Sequence, residues 1–378
     1  MIIGVVKEAF PETRVSILPE HIVQLKKWNV QVIVEDGAGE AAFSLNEKYV
    51  ANGAAIVSRE EVLTTANVIL SINNFLATDI AHIKPNTVLL GVYQPLFNYL
   101  LMNTCAVKGL SVFSMDMLPR TTRAQGMDVL SSQANIAGYK AVLTAANLFP
   151  KYFPMFMTAA GTIPPAKMLI LGAGVAGLQA IATGKRLGAV VEVFDTRAAV
   201  KEEVMSLGGK FIEVEGAADA SKAGGYAVEQ SAEFKAKQKA KIAESVAKAD
   251  IIITTAQIPG KAAPVLITTE MISAMKNGSV IIDLAAATGG NTELTKDAAT
   301  IVYNGVSIVG NSNLPANMPA DASKLYGKNI LNFLKLVIDK EGELLLNFED
   351  DLIKGSCVAY DHQITNERVK ALLLNTVI

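Results

Sequence analysis

The stretch from Lys167 to Arg197, KMLILGAGVAGLQAIATGKRLGAVVEVFDTR, constrains this chain more than any other. Met168 to Leu171 read as a buried strand that runs straight into Gly172, Gly174 and Gly177. A helix follows to about Leu187, and a second buried strand, Val190 to Phe194, ends at Asp195. In this strand–turn–helix–strand setting G-x-G-x-x-G is the phosphate-binding turn of a dinucleotide-binding βαβ unit. Gly172 permits the tight turn, Gly174 admits a pyrophosphate against the backbone, and Gly177 lets the helix lie close on the strand. Ala173 and Val175 complete the turn into the helix, whose free N–H groups and positive dipole end suit phosphate.

Asp195 stands near the spacing of about 20 residues expected of the acid that hydrogen-bonds the adenosine ribose. A carboxylate there repels a 2′-phosphate, so NAD is expected over NADP. Arg197, two residues on, argues the other way, because a guanidinium can accommodate that phosphate.

The 378 residues leave room for two domains of ordinary size. With 51% hydrophobic and 19% charged residues, the chain can bury large cores, and a net charge of −2 argues against a nucleic-acid binder. The two cysteines, Cys105 and Cys357, form no C-x-x-C and suit a reducing compartment. MIIGVVKEAF reads as a strand and lacks the basic-then-apolar form of a secretory leader. No apolar run reaches the roughly 18 residues of a membrane span, so a soluble, cytoplasmic chain is expected, free to dock on a membrane protein.

Apolar strands are expected at 2–6, 30–35, 54–57, 68–72, 88–92 and 110–113, with helical patterns between them and a helix opening at Pro19. That alternation implies a parallel sheet covered on both faces. This first third carries no glycine fingerprint, and Gly37-Ala38-Gly39 reads as a turn. RTTRAQGMDVLSSQANIAGY (120–139) is dense in polar side chains and precedes an apolar helix, 134–149. A solvated linker and a polar wall of a cleft between domains both suit this composition. Further strands are expected at 210–214, 250–256, 279–284 and 306–310, and a charged helix at 229–248. The glycine- and alanine-rich segment 216–230 has the length of a lid, with Tyr226 as its natural contact residue. Asp321 to Val337 has helical periodicity, and GSCVAYD is strand-like. The fold class is α/β, with two doubly wound Rossmann-like domains and an interdomain cleft. The first domain is discontinuous, 1–128 plus 321–378, and the second spans 129–320.

A dehydrogenase acting on a hydroxy or amino acid needs a group to move the substrate proton. His21, His82 and His362 are the three histidines, and none falls at an expected carboxyl edge of a sheet. There is no metal constellation and no nucleophile elbow. The chain presents a cofactor site without substrate chemistry.

RAQGMDVLSSQANIAGY, LGAGVAGLQAIATGKRLGA, VEVFDTR, AGGYA, TTAQIPGKAAPVLIT, GSVIIDLA and GGN together resemble the NAD(H)-binding domain I of proton-translocating nicotinamide nucleotide transhydrogenase, within the alanine dehydrogenase-like superfamily. The resemblance runs from KEAFPETRVSILPE to ADASKLYGKNILNFL, and the length resembles the first polypeptide of a divided alpha subunit. It implies a homodimer that binds NAD(H) and passes hydride directly to NADP(H) on a partner subunit. A membrane domain in further subunits couples the transfer to proton movement. The implied enzyme is a Re/Si-specific NAD(P)+ transhydrogenase, active with its partners and peripheral on the inner face of the cell membrane. It would need no substrate pocket, which accounts for the missing base.

Carried over by motif, Arg120, Thr121, Thr122, Gln125, Asp128 and Ser131 form the polar nicotinamide-side segment. Gln125 and Asp128 are expected to fix the dihydronicotinamide and its carboxamide, with Arg120 salt-bridged nearby; these three are the implied catalytic residues. Gly172, Ala173, Gly174, Val175 and Gly177 match the pyrophosphate turn, and Asp195, Thr196 and Arg197 the adenosine end. Gly225 and Tyr226 match the mobile loop, and Gln238 and Gln257 match further cofactor contacts. The chain departs from the family at Ala287 in DLAAATGGN and at SINNF (71–75). Alanine dehydrogenase shares the KE…RV opening, but its catalytic lysine and histidine align at about Ser71 and Leu101, which cannot serve. A non-catalytic NAD(H)-sensing module is the remaining alternative.

Overall fold

A computed structural model describes residues 1–214 and 231–376. The chain divides into two compact units, Met1–Gln133 with Ala316–Ile378, and Ala134–Pro315.

The first unit opens with six short strands, β1 (Ile2–Val5), β2 (Gln31–Glu35), β3 (Ala55–Val57), β4 (Val68–Leu70), β5 (Val88–Gly91) and β6 (Ser111–Ser114). All pair in parallel, in the order β3-β2-β1-β4-β5-β6. Alternate residues feed two cores. Ile3, Val5, Val32, Val34, Val68 and Leu70 pack on one face. Ile69, Leu89 and Val112 pack on the other. Burial on both faces is why these strands read as unbroken apolar runs.

The second unit holds a separate hairpin, β7 (Phe156–Thr158) with β8 (Gly161–Ile163), and then a sheet. Its strands are β9 (Lys167–Leu171), β10 (Val190–Phe194), β11 (Lys210–Phe211), β12 (Ile251–Thr254), β13 (Val280–Asp283), β14 (Thr300–Tyr303) and β15 (Val306–Val309). The order is β11-β10-β9-β12-β13-β15-β14, parallel except for β14. Met168, Ile170, Val191 and Ile253 face one core, and Leu169, Leu171, Ile252 and Ile281 the other. The chain then returns to the first unit through the helix Pro319–Val337. It adds β16 (Cys357–Tyr360) antiparallel on β6, and β17 (Gln363–Ile364) on β16. Each parallel core thus follows the doubly wound strand order, with its switch point between β1 and β4 or between β9 and β12.

Five elements correct the sequence reading. The expected helix 134–149 begins earlier, at Val129, because the Asp128 carboxylate accepts from Ser131 N (2.9 Å) and Ser131 Oγ (2.6 Å) and caps a first turn too polar to read as helix. The strand expected at 210–214 stops at Phe211. Strands β7, β8 and β14 go unread in the sequence. The first two are exposed on both faces and three residues long, so no periodicity marks them. The charged helix is described from Ala232 to Lys248. No helix among the described residues is long and apolar enough to cross a membrane.

Candidate dinucleotide site

The glycine turn joins β9 to the helix Val175–Arg186. Gly172 has φ +107°, a conformation L side chains rarely adopt, and a Cβ there would run into Thr255 Oγ1. Its N–H donates to Phe194 O at 2.8 Å, which ties the turn to the end of β10. A Cβ on Gly177 would collide with the carbonyl oxygen of Gly172, so helix and strand approach as closely as the motif allows. At Gly174 a Cβ would meet nothing within 4 Å. The surface there is open, and Gly174 is also the helix N-cap with no side chain to take up the first-turn N–H groups. An open backbone and unclaimed donors at a helix N-terminus fit a pyrophosphate. Ala173 is buried and Val175 is exposed.

Asp195 follows β10 at the carboxyl edge, beside this turn. Its Oδ2 accepts from Ala173 N at 2.7 Å, so the acid and the glycine turn are directly bonded. Its Oδ1 accepts from Arg197 N (2.8 Å) and Nε (2.9 Å), and Oδ2 also accepts from an Arg197 terminal nitrogen at 2.8 Å. The sequence reading treats Asp195 as open to a ribose and Arg197 as a rival phosphate ligand. The structure joins them as an ion pair, and Asp195 raises the Arg197 pKa above its ordinary value. Thr196 between them is half-buried.

Gln257 lies past the end of β12, across the switch point from the glycine turn, and donates from Nε2 to Leu284 O at 2.9 Å. Gln238 is half-buried within the charged helix. Gly225 and Tyr226 lie outside the described residues. The DLAAATGGN segment is organised by fully buried Asp283, which accepts from Ala285 N (2.9 Å), Asn291 N (2.6 Å) and Thr295 Oγ1 (2.6 Å). Asn291 in turn holds Ala256, accepting from its N–H (3.0 Å) and donating to its carbonyl (2.8 Å). That clasp fixes the backbone leading to Gln257, while Ala287 sits exposed in the short turn. A surface cavity of about 510 Å³ lined by Lys151, Tyr152, Arg186 and Gly188 lies at the opposite end of the helix Val175–Arg186 and takes no part in this site.

The polar residues expected on the nicotinamide side belong to the first unit. Within this segment Thr122–Met127 forms a 3₁₀ helix whose Gly126 carbonyl accepts from Asn329 (2.9 Å) and Asn332 (2.8 Å) of the helix Pro319–Val337. Arg120, Thr121, Thr122 and Gln125 are exposed, and Asp128 and Ser131 are half-buried. The Asp128–Ser131 bonds described above make these two residues a helix cap as well as candidate ligands.

The sequence reading missed a second polar group, at the carboxyl edge of the first sheet. Arg14 donates from Nε and a terminal nitrogen to buried Glu12 (2.8 and 2.6 Å) and from its other terminal nitrogen to Gln133 Oε1 at 2.8 Å. Asn73 Nδ2 donates to both Glu12 (3.3 Å) and Glu8 (3.1 Å). Burial pushes the Glu8 carboxyl up to about 7, although Ile72 N and Asn73 hydrogen-bond it. The KE…RV opening is its only trace in the sequence. Ser71 is buried, with its hydroxyl 3.0 Å from Tyr93 OH. His21 is buried and accepts from Leu18 N through Nδ1 (2.9 Å), while His82 Nδ1 lies 2.8 Å from Thr78 O. No group of three or more His, Cys, Asp or Glu among the described residues could hold a metal ion.

Residues 4–137 match the family described as alanine dehydrogenase/PNT, N-terminal domain, and residues 141–367 match its C-terminal domain. The first polypeptide of the divided NAD(P) transhydrogenase subunit alpha of Rhodospirillum rubrum is 46% identical over 376 residues, covering 97% of this chain and 98% of its own. Its counterpart from Rickettsia prowazekii is 43% identical over 360 residues, covering 94% of this chain and 93% of its own. The crystal structure of transhydrogenase from Sinorhizobium meliloti superposes with a TM-score of 0.88 at 43% identity, covering 96% of this chain and 100% of that one. The chain therefore belongs to the alanine dehydrogenase/PNT family, among its NAD(P) transhydrogenase alpha subunits.

Proposed function

We propose that this chain is the NAD(H)-binding subunit of a proton-translocating transhydrogenase. It works as a homodimer on the inner face of the membrane with membrane-spanning and NADP(H)-binding subunits. The observation that carries this is an open glycine turn, with unclaimed helix N–H groups, in a chain matched end to end by the first polypeptides of divided alpha subunits. Bound NADH would supply a hydride to NADP+ on the partner, and the reverse. The rest is positioning. Gly172, Ala173, Gly174, Val175 and Gly177 hold the pyrophosphate, and Asp195, Thr196 and Arg197 govern the adenosine ribose. Gly225, Tyr226, Gln238 and Gln257 complete the cofactor contacts. Arg120, Thr121, Thr122, Gln125, Asp128 and Ser131 orient the nicotinamide, with Gln125, Asp128 and Arg120 bearing on the reaction.

The engaged histidines favour this reading over an amino-acid dehydrogenase. His21 is buried and accepts from a backbone N–H, and the position after β4 presents Ser71 and Asn73, neither of them a lysine; the group there that titrates near neutral pH is Glu8, whose carboxyl accepts from Asn73. The test is to mix the purified chain with an NADP(H)-binding domain of the family and follow hydride transfer from NADH to an NADP+ analogue by absorbance. Transfer that needs both components supports the proposal. Oxidation of alanine by the lone chain would replace it with a dehydrogenase, and NADH binding without either activity would leave a sensing module.

A further inference from the structure

The Asp195 carboxylate is full. An ionised carboxylate offers about four lone-pair positions. Ala173 N, Arg197 N, Arg197 Nε and an Arg197 terminal nitrogen take four, all between 2.7 and 2.9 Å. The pair is also sheltered, with side chains 6% (Asp195) and 19% (Arg197) exposed. Two of the four donors are backbone groups fixed by the glycine turn and by the bend after β10. The other two belong to one guanidinium and can leave together. A ribose 2′,3′-diol brings two hydroxyl donors, which matches the number that the guanidinium would release.

We propose that Arg197 is a specificity residue that stands in for the ribose diol. Its guanidinium occupies the two Asp195 positions a ribose needs, and a nucleotide seats only by displacing it. This deepens the reading of the glycine turn as a dinucleotide site and rests on it. Two effects follow. Displacement breaks a sheltered charge-assisted pair, so it weakens and slows NADH binding. The displaced guanidinium then lies two residues from the acid that repels a 2′-phosphate and offers that phosphate a partner. Arg197 thereby narrows the preference for NADH over NADPH that a bare Asp195 would impose.

The test uses the full chain as wild type, Arg197→Met and Asp195→Asn, with NADH and NADPH affinities from nicotinamide fluorescence and association rates from stopped flow. Arg197→Met should bind NADH about threefold or more tighter and faster, bind NADPH more weakly, and widen the NADH/NADPH ratio by about tenfold. Asp195→Asn should weaken NADH and narrow the ratio. Arg197→Gln, which keeps an amide donor in similar volume, should shift the ratio the same way by less, and it serves if the methionine variant does not fold. Arg197→Met or Arg197→Gln weakening both nucleotides alike would overturn the proposal and make Arg197 a structural prop. If even the wild type binds neither nucleotide, the dinucleotide site itself falls.

Discussion

Glu8 shows what a single side chain can do to the whole. Its carboxyl accepts from Ile72 N (2.5 Å) and from Asn73 N and Nδ2 (3.2 and 3.1 Å), yet burial and the neighbouring Glu12 push it up to about 7 from 4.5. The folded chain therefore holds a proton there that the unfolded chain releases. Its contribution to stability is full below the unfolded pKa of 4.5 and is lost as pH rises through about 7. The gradient is at most about 1.4 kcal/mol per pH unit. Glu8→Gln should flatten that part of the pH profile in urea unfolding and be more stable than wild type near pH 8; an unchanged slope would rule Glu8 out as its source. At Gln125, whose side chain is exposed, the expected outcome is different in kind. Gln125→Ala should slow hydride transfer by about tenfold, roughly 1.4 kcal/mol of barrier, with a smaller change in NADH affinity. Equal loss of both would refute a positioning role. Asp195 is readable in the sequence because its place at a strand end is local. Its saturation by Arg197 is not, because a side chain folding back two residues leaves no periodicity. Glu12 and Arg14 are less readable still, since their partners Asn73 and Gln133 lie 61 and 119 residues away.

Among elements, the turn between β9 and its helix is the most fully specified by sequence. Gly172 and Gly177 have different steric reasons, Gly174 leaves the surface open, and each reason is local. Gly177→Ala sets a methyl against the Gly172 carbonyl, backbone against backbone, with no flexible side chain to yield. Overpacking of this kind destabilises by about 1–3 kcal/mol. Chemical denaturation should show that loss, and fluorescence titration should show NADH binding weakened by more than the loss of folded protein explains. A stable variant with normal affinity would mean that helix and strand can separate there freely. The buried parallel strands are equally legible, because Ile and Val runs facing two cores have no polar face to confuse them. The segment 120–131 is not. Its composition suits a linker, and only Asn329 and Asn332, some two hundred residues on, turn it into a docked 3₁₀ helix.

At the scale of the whole molecule, the chain builds the same six-strand parallel order twice, around β1–β4 and around β9–β12. The alternation of strands and helices announces both sheets. The return of residues 316–378 to the first unit is signalled only by an amphipathic helix and a strand-like tail, because pairing of β16 with β6 is set by a partner more than two hundred residues earlier. The two sheets differ at their first connection. Three residues, Gly172 to Gly174, carry β9 into its helix, whereas residues 6–18 lead from β1 to the helix Pro19–Lys27 and put Glu8, Glu12 and Arg14 at the carboxyl edge. Side chains thus take up in one sheet the ground that bare backbone leaves open in the other. The consequence is one of stoichiometry: a calorimetric titration of the full chain with NADH should saturate at one nucleotide per polypeptide, and a second equivalent should find no purchase.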